Sequence, residues 1–160
     1  MIEPRDIHHT GYTVSDLDSS VAFYRDLIGM EVIAQQEKRG GYLAEIVGYP
    51  DAHVRMAHMR VPGSGHVLEL FEYLTPEGIR PDRIEPRDVG TAHLCFVVDD
   101  LPGVHRRLLD AGVETFVSPP VKVDTGINTG GFGVYLRDPD GILVEIFQPP
   151  GRRPETAGDE

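Results

Sequence analysis

The stretch "HTGYTVSDLDSSVAFYRDLIG", residues 9–29, decides the fold, because part of its pattern returns as "HLCFVVDDLPGVHRRLLDAG" at residues 93–112. Each copy runs His, four residues, Val, then an acidic residue and Leu, a helical pattern and a closing Gly. In the first copy residues 7–14 alternate in polarity and are rich in β-formers, which predicts a strand. Ser15 and Asp16 are capping residues before a helix from Leu17 to Ile28. Leu17, Val21, Tyr24 and Ile28 recur at i, i+4, i+7 and i+11, giving that helix one apolar face. Gly29 suits the left-handed residue that ends such a helix. In the second copy "AHLCFVV" predicts a strand and Asp99 and Asp100 cap a helix with Pro102 in its first turn. Leu101, Val104 and Leu108 line its apolar face, and Gly112 ends it.

Outward from each copy the pattern continues in parallel. After the first, "MEVIAQQ" reads as a strand and "YLAEIVG" as a short helix stopped by Gly48 and Pro50. "HVRMAHMRV" and "HVLELFEYL" read as strands joined by the turn "PGSG". After the second, "VETFVSP", "FGVYLRD" and "ILVEIFQ" read as three strands, with "DPDG" as the turn before the last. The chain is therefore a duplicated βαβββ unit, at residues 6–74 and 90–148, of the α+β class. Residues 75–89, rich in Pro and charge, form the linker, and residues 149–160 are expected to be a disordered tail. One unit alone has an open sheet and one helix, too little to bury a core, so the two are expected to make one domain over residues 1–148.

Composition narrows the function classes. At 160 residues, with 40% hydrophobic and 26% charged residues, the chain is that of a globular protein with a real core. No apolar run approaches the roughly 20 residues of a membrane span, and "MIEPRDIHH" lacks a secretory pattern, so a cytoplasmic location is expected. A net charge of −11 argues against nucleic acid or an anionic membrane as partner. The single Cys excludes an intrachain disulfide framework and a multi-cysteine zinc site, and Cys95, in an apolar run, reads as a small core residue.

The chemistry lies in polar residues on the repeated strands. Alternate side chains of a strand share a face. His9 therefore points with Gly11 and Thr13, and His93 with Cys95 and Val97, both away from the helices. The last strand of each unit carries a matching carboxylate, Glu69 in "VLELF" and Glu145 in "LVEIF". A buried, unpaired carboxylate is costly, so each needs a partner. Glu72, on the other register, is expected to reach solvent. Two imidazoles and two carboxylates at equivalent positions of two repeats can converge on one divalent metal, such as Ni, Co, Zn, Mn or Fe. Six-coordination would leave two positions for water or substrate. His8 points to the opposite face and reads as a surface residue. His53, His58, His66 and His105 show no repeat-equivalent partner, and His66 is the candidate among them for lining a pocket.

These residues resemble the vicinal oxygen chelate superfamily, which includes glyoxalase I, methylmalonyl-coenzyme A epimerase, extradiol dioxygenases and antibiotic-resistance proteins. The resemblance covers residues 6–148 and is carried by "HTGYTVSDLDSSVAFYRDLIGMEV", "VLELFEY", "AHLCFVVDDL" and "DPDGILVEIFQ". It implies a cupped, barrel-like mixed sheet around one metal, with His9, Glu69, His93 and Glu145 as ligands, and a homodimer acting on a small molecule. Bacterial glyoxalase I is similar at all four ligand positions. Extradiol dioxygenases use two His and one Glu, matched by His9, His93 and Glu145, and the epimerase carries Gln where this chain has Glu69. Drug-sequestering resistance proteins commonly lack the ligands.

The first implied function is an isomerase, lyase or epimerase that moves a proton next to a carbonyl through a metal-bound enediolate or enolate, with Glu69 and Glu145 carrying the proton. The alternatives are an Fe(II)-dependent, extradiol-type oxygenase and a small-molecule binding or resistance protein. Glu45 aligns with a second acid of the epimerases, but its helical setting makes it a solvated residue. No cationic set for the carboxylates of a glutathione cosubstrate is evident.

Overall fold

A computed structural model describes residues 2–151; from Arg152 onward the expected tail lies outside the described residues. The chain divides into two compact units between Asp82 and Arg83, inside the expected linker. The first unit runs β1 (His9–Thr13), α1 (Leu17–Ala22), β2 (Glu31–Arg39), α2 (Gly41–Val47), β3 (His53–Arg60) and β4 (Val67–Thr75). Its sheet has the order β1-β4-β3-β2, with β1 parallel to β4 and the other pairs antiparallel. The second unit runs β5 (His93–Val97), α3 (Leu101–Asp110), β6 (Val121–Lys122), β7 (Phe132–Arg137) and β8 (Leu143–Gln148). Its sheet, β5-β8-β7-β6, repeats the same order and the same sense of pairing. The α+β duplication expected from the two quoted stretches is what the chain builds.

The helices start and stop as the capping residues dictate. Asp16 Oδ1 accepts the Ser19 N–H at 2.7 Å at the start of α1, and Asp100 Oδ1 accepts the Gly103 N–H at 3.0 Å at the start of α3. The Ser19 hydrogen bonds hold the Asp16 carboxyl below its ordinary range. Beyond Ala22 the first helix widens into a π-helical turn over Phe23–Leu27, closed by a bond from Ile28 N–H to the Phe23 carbonyl at 3.3 Å. The wider turn brings Phe23 and Tyr24 inward together, their rings edge to face at 5.1 Å. Gly29 and Gly112, at φ 85° and 83°, then turn the chain out of the two helices.

A second capping contact is also duplicated. The first free N–H of α1, at Leu17, is 3.4 Å from Glu72 Oε2, and that of α3, at Leu101, is 2.9 Å from Gln148 Oε1. Glu72 is therefore not the solvated acid its register suggests. Its side chain is only 15% exposed and is paired with Arg55 Nη1 at 2.9 Å. Glu72 shares its face with Leu68 and Leu70, which lie under α1, and the positive end of a helix favours a carboxylate there.

The two faces of the first sheet have different fates. Tyr12, Val14, Ala57, Met59, Leu68 and Leu70 are buried on the α1 side, with Leu17, Val21 and Tyr24. Each buried Leu contributes about 1.5–3 kcal/mol. On the opposite face α2 covers one end, where Leu43, Ala44, Ala52, Val54 and Met56 cluster with Phe71 and Tyr73. The other end, where β1 and β4 begin, carries His9, His58 and Glu69.

One expected strand is absent as such. Residues 113–119 lie beside β7, with the Val117 N–H on the Tyr135 carbonyl at 2.8 Å and the Arg137 N–H on the Thr115 carbonyl at 3.1 Å. They make only an isolated bridge, Phe116 to Leu136. Pro119 and Pro120 have no N–H to give the ladder, and pairing resumes at Val121–Lys122.

Candidate metal centre

The register of the parallel pairs places each imidazole. In β1 and β4, Gly11 lies opposite Glu69 and His9 opposite Val67, so His9 and Glu69 are diagonal neighbours on one face. In β5 and β8, Cys95 lies opposite Glu145 and His93 opposite Leu143, the same arrangement. His9 Nε2 is 3.2 Å from Glu69 Oε2, and His93 Nε2 is 3.0 Å from Glu145 Oε2. Both imidazoles are 42% exposed, while the carboxylates are 13% and 22% exposed. The four expected site residues thus form two pairs, one per unit, through the same atoms of the same strands.

The donor chemistry of each pair fits a divalent metal. Two ligand atoms about 2.1 Å from one ion and at right angles to each other are about 3 Å apart. Each pair has that spacing between an imidazole nitrogen and a carboxylate oxygen, so each can supply two neighbouring ligands. Among the described residues, no three or more His, Cys, Asp or Glu side chains are gathered so that they could hold a metal ion. His9 has a neighbour of its own: its Nδ1 is 2.7 Å from His8 Nδ1. In the tautomer that donates from His9 Nδ1, the Nε2 lone pair is the one facing Glu69.

Two residues of this neighbourhood escape sequence comparison. His58 lies opposite Glu69 in the β3–β4 pairing, and its Nε2 is 2.8 Å from Glu69 Oε1. Tyr135 lies opposite Glu145 in the β7–β8 pairing, its hydroxyl 3.3 Å from His93 Nε2 and its ring edge to face with the imidazole at 5.1 Å. His58 therefore has a repeat-equivalent partner after all, a tyrosine. The usable signal is hairpin register: counting back from each turn places these residues opposite the glutamates.

Cys95 is a second correction. It lies exposed on the His93 face rather than in the core. Partial burial, with the charge and hydrogen bond of Glu145, pushes its thiol up to about 12. Burial and the Glu145 charge also raise the Tyr135 phenol.

The remaining histidines are engaged elsewhere. His66 Nε2 is 3.0 Å from Thr10 Oγ1, a residue of the α1-facing register. His53 accepts from Arg39 at 3.0 Å and donates to Glu37 at 2.5 Å, and the His105 ring packs on Phe116 at 4.4 Å. Glu45 is exposed on α2, as its helical setting predicts. Phe71, two residues along β4 from Glu69, lies 3.5 Å from where a Gly11 Cβ would be, and Met56 is two residues from His58. An apolar wall therefore adjoins the polar end of this sheet face.

Two tandem βαβββ units, each presenting an imidazole–carboxylate pair from its first and last strands, define a duplicated α+β protein of the glyoxalase fold. The chain belongs to the Glyoxalase/Bleomycin resistance protein/Dioxygenase superfamily, whose profile matches residues 6–146. It is 31% identical over 153 residues to a 2-epi-5-epi-valiolone epimerase of an Actinomyces species, covering 92% of this chain and 81% of that protein. It is 31% identical over 147 residues to a probable lactoylglutathione lyase of Vibrio parahaemolyticus, covering 89% of each. The crystal structure of a glyoxalase family protein from Bacillus cereus shares the fold, with a TM-score of 0.79 at 24% identity over 94% of this chain and 97% of that one. Among the described residues no helix is long and apolar enough to cross a membrane.

Proposed function

We propose that the chain is a divalent-metal-dependent enzyme that moves a proton on a carbon next to a carbonyl, as an isomerase, epimerase or lyase. The observation that carries this is the repeated pair, His9 with Glu69 at 3.2 Å and His93 with Glu145 at 3.0 Å. On this reading His9, Glu69, His93 and Glu145 hold one Ni, Co, Zn, Mn or Fe ion. When bound, the ion supplies Lewis acidity to oxygens of the substrate. Glu69 and Glu145 are the two carboxylates of this set, which makes them the candidate acid and base. Similarity to proteins named as an epimerase and a lactoylglutathione lyase supports this reaction class. Half-buried Phe71, two residues along β4 from Glu69, suits a small substrate with an apolar part. The same reading expects a homodimer in the cytoplasm.

Metal content after purification without chelator tests the ligand set: His9→Ala should lose the metal the wild type retains. Full stoichiometry in the variant would refute it. Glu69→Gln and Glu145→Gln should each abolish turnover with the fold intact, and full activity in both would refute the catalytic roles.

One observation favours a second reading. His58 occupies one oxygen of Glu69, and if that contact removes Glu69 from the ligands, His9, His93 and Glu145 remain. Two His and one carboxylate are the donor set of Fe(II) oxygenases. Oxygen consumption strictly dependent on Fe(II) would establish it.

A further inference from the structure

We infer that His58 is a positioning residue for Glu69: its imidazole N–H holds one carboxylate oxygen and so turns the other toward His9. The two oxygens of Glu69 are divided between two imidazoles, Oε1 with His58 Nε2 at 2.8 Å and Oε2 with His9 Nε2 at 3.2 Å. The inference rests on the ligand role proposed for Glu69.

Strand geometry makes the contact direct. His58 and Glu69 face each other across an antiparallel pair, where opposed side chains are in reach without strain. His9 reaches the same carboxylate from the parallel neighbour on the other side. A glutamate on a strand has rotamer freedom to lose before it can ligate, and a donor on its outer oxygen removes that freedom in advance. With Oε1 engaged, Glu69 is left to bind through Oε2 alone.

The second unit offers a comparison at the equivalent position. The position opposite Glu145 also carries a hydrogen-bonding side chain, Tyr135. The same position thus holds a polar side chain in both halves, but the Tyr135 hydroxyl meets His93 Nε2 at 3.3 Å, whereas His58 meets Glu69 itself at 2.8 Å. His58 is also at the uncovered end of the sheet face, outside the apolar cluster under α2, so core packing does not account for it.

Titration of Co(II) into chelator-stripped, full-length protein tests this, read by calorimetry and by the visible absorption of the bound ion. His58→Phe should weaken Co(II) binding by about 10–100-fold and shift the absorption band. His58→Gln, which keeps an N–H donor, should recover most of the affinity. Wild-type affinity and spectrum in His58→Phe, or a His58→Gln as weak as His58→Phe, would overturn the inference while leaving the metal reading standing. In the Glu69→Ala background, adding His58→Phe should change affinity no further, and an additional loss would also overturn it. This arm needs no comparison with a wild-type fold. If wild-type protein binds no Co(II), or His9→Ala binds it equally well, the metal reading itself fails and the inference falls with it.

Discussion

A carboxylate set into an otherwise apolar strand must be met by donors, and Glu69 and Glu145 are met differently. Glu69 has an imidazole on each oxygen, whereas Glu145 has His93 on one side and Tyr135 and Cys95 around it. The Tyr135 hydroxyl lies 3.3 Å from His93 Nε2, a longer and weaker contact than the 2.8 Å between His58 and Glu69. Tyr135→Phe should therefore weaken Co(II) binding less than about tenfold, and less than His58→Phe does in the same titration. An equal or larger loss would show that the two halves are supported alike. At this scale the faces of His9, Glu69, His93 and Glu145 were legible, because strand alternation has a strict period of two. His58 was not. The loops 61–66 and 138–142 differ in length by one residue, so counting along the chain from the glutamates does not align His58 with Tyr135. Cys95 was misread because apolar neighbours on a strand occupy alternate faces, and its own face is the one with His93.

The elements carry two further tests. Gln148 caps α3 from the far end of β8, so Gln148→Ala leaves the Leu101 N–H without its partner and should cost about 1 kcal/mol in chemical denaturation. Glu72→Ala should cost more, because it also strips Arg55 of a half-buried ion pair. Tyr73, in the cluster under α2, has its phenol raised above the ordinary 10 by burial, with the neighbouring Tyr49 adding to it. A raised folded value stabilises the fold fully below pH 10, and that contribution is lost as pH rises through the folded value. Tyr73→Phe should therefore flatten the alkaline fall of stability, measured as the denaturation midpoint against pH. An unchanged slope would exclude Tyr73 as its source. Helices and hairpins were readable from caps, glycines and turn residues, which act locally. The segment 113–119 was not, since its β-rich residues are followed by two prolines that break the ladder at a point set by β7.

For the whole molecule the question is whether the two imidazole–carboxylate pairs would serve one ion, as proposed, or two. A single imidazole–carboxylate pair offers two ligands, too few to close even a tetrahedral site. If each unit bound its own ion weakly, His9→Ala would leave the second pair untouched and half of the bound metal in place. If the ligand set draws on both units, the loss of either histidine abolishes tight binding. Metal that binds only the folded protein stabilises it by about 2.7 kcal/mol at a hundred times Kd, roughly 5–10 °C in Tm for a chain of this size. Wild-type protein should show that gain on addition of Co(II) and lose it with chelator. His9→Ala and His93→Ala should both show none, while unfolding near the wild-type metal-free temperature, because both imidazoles are 42% exposed and carry little of the core. A gain that persists at about half strength in either variant would assign one ion to each unit and end the shared-site reading.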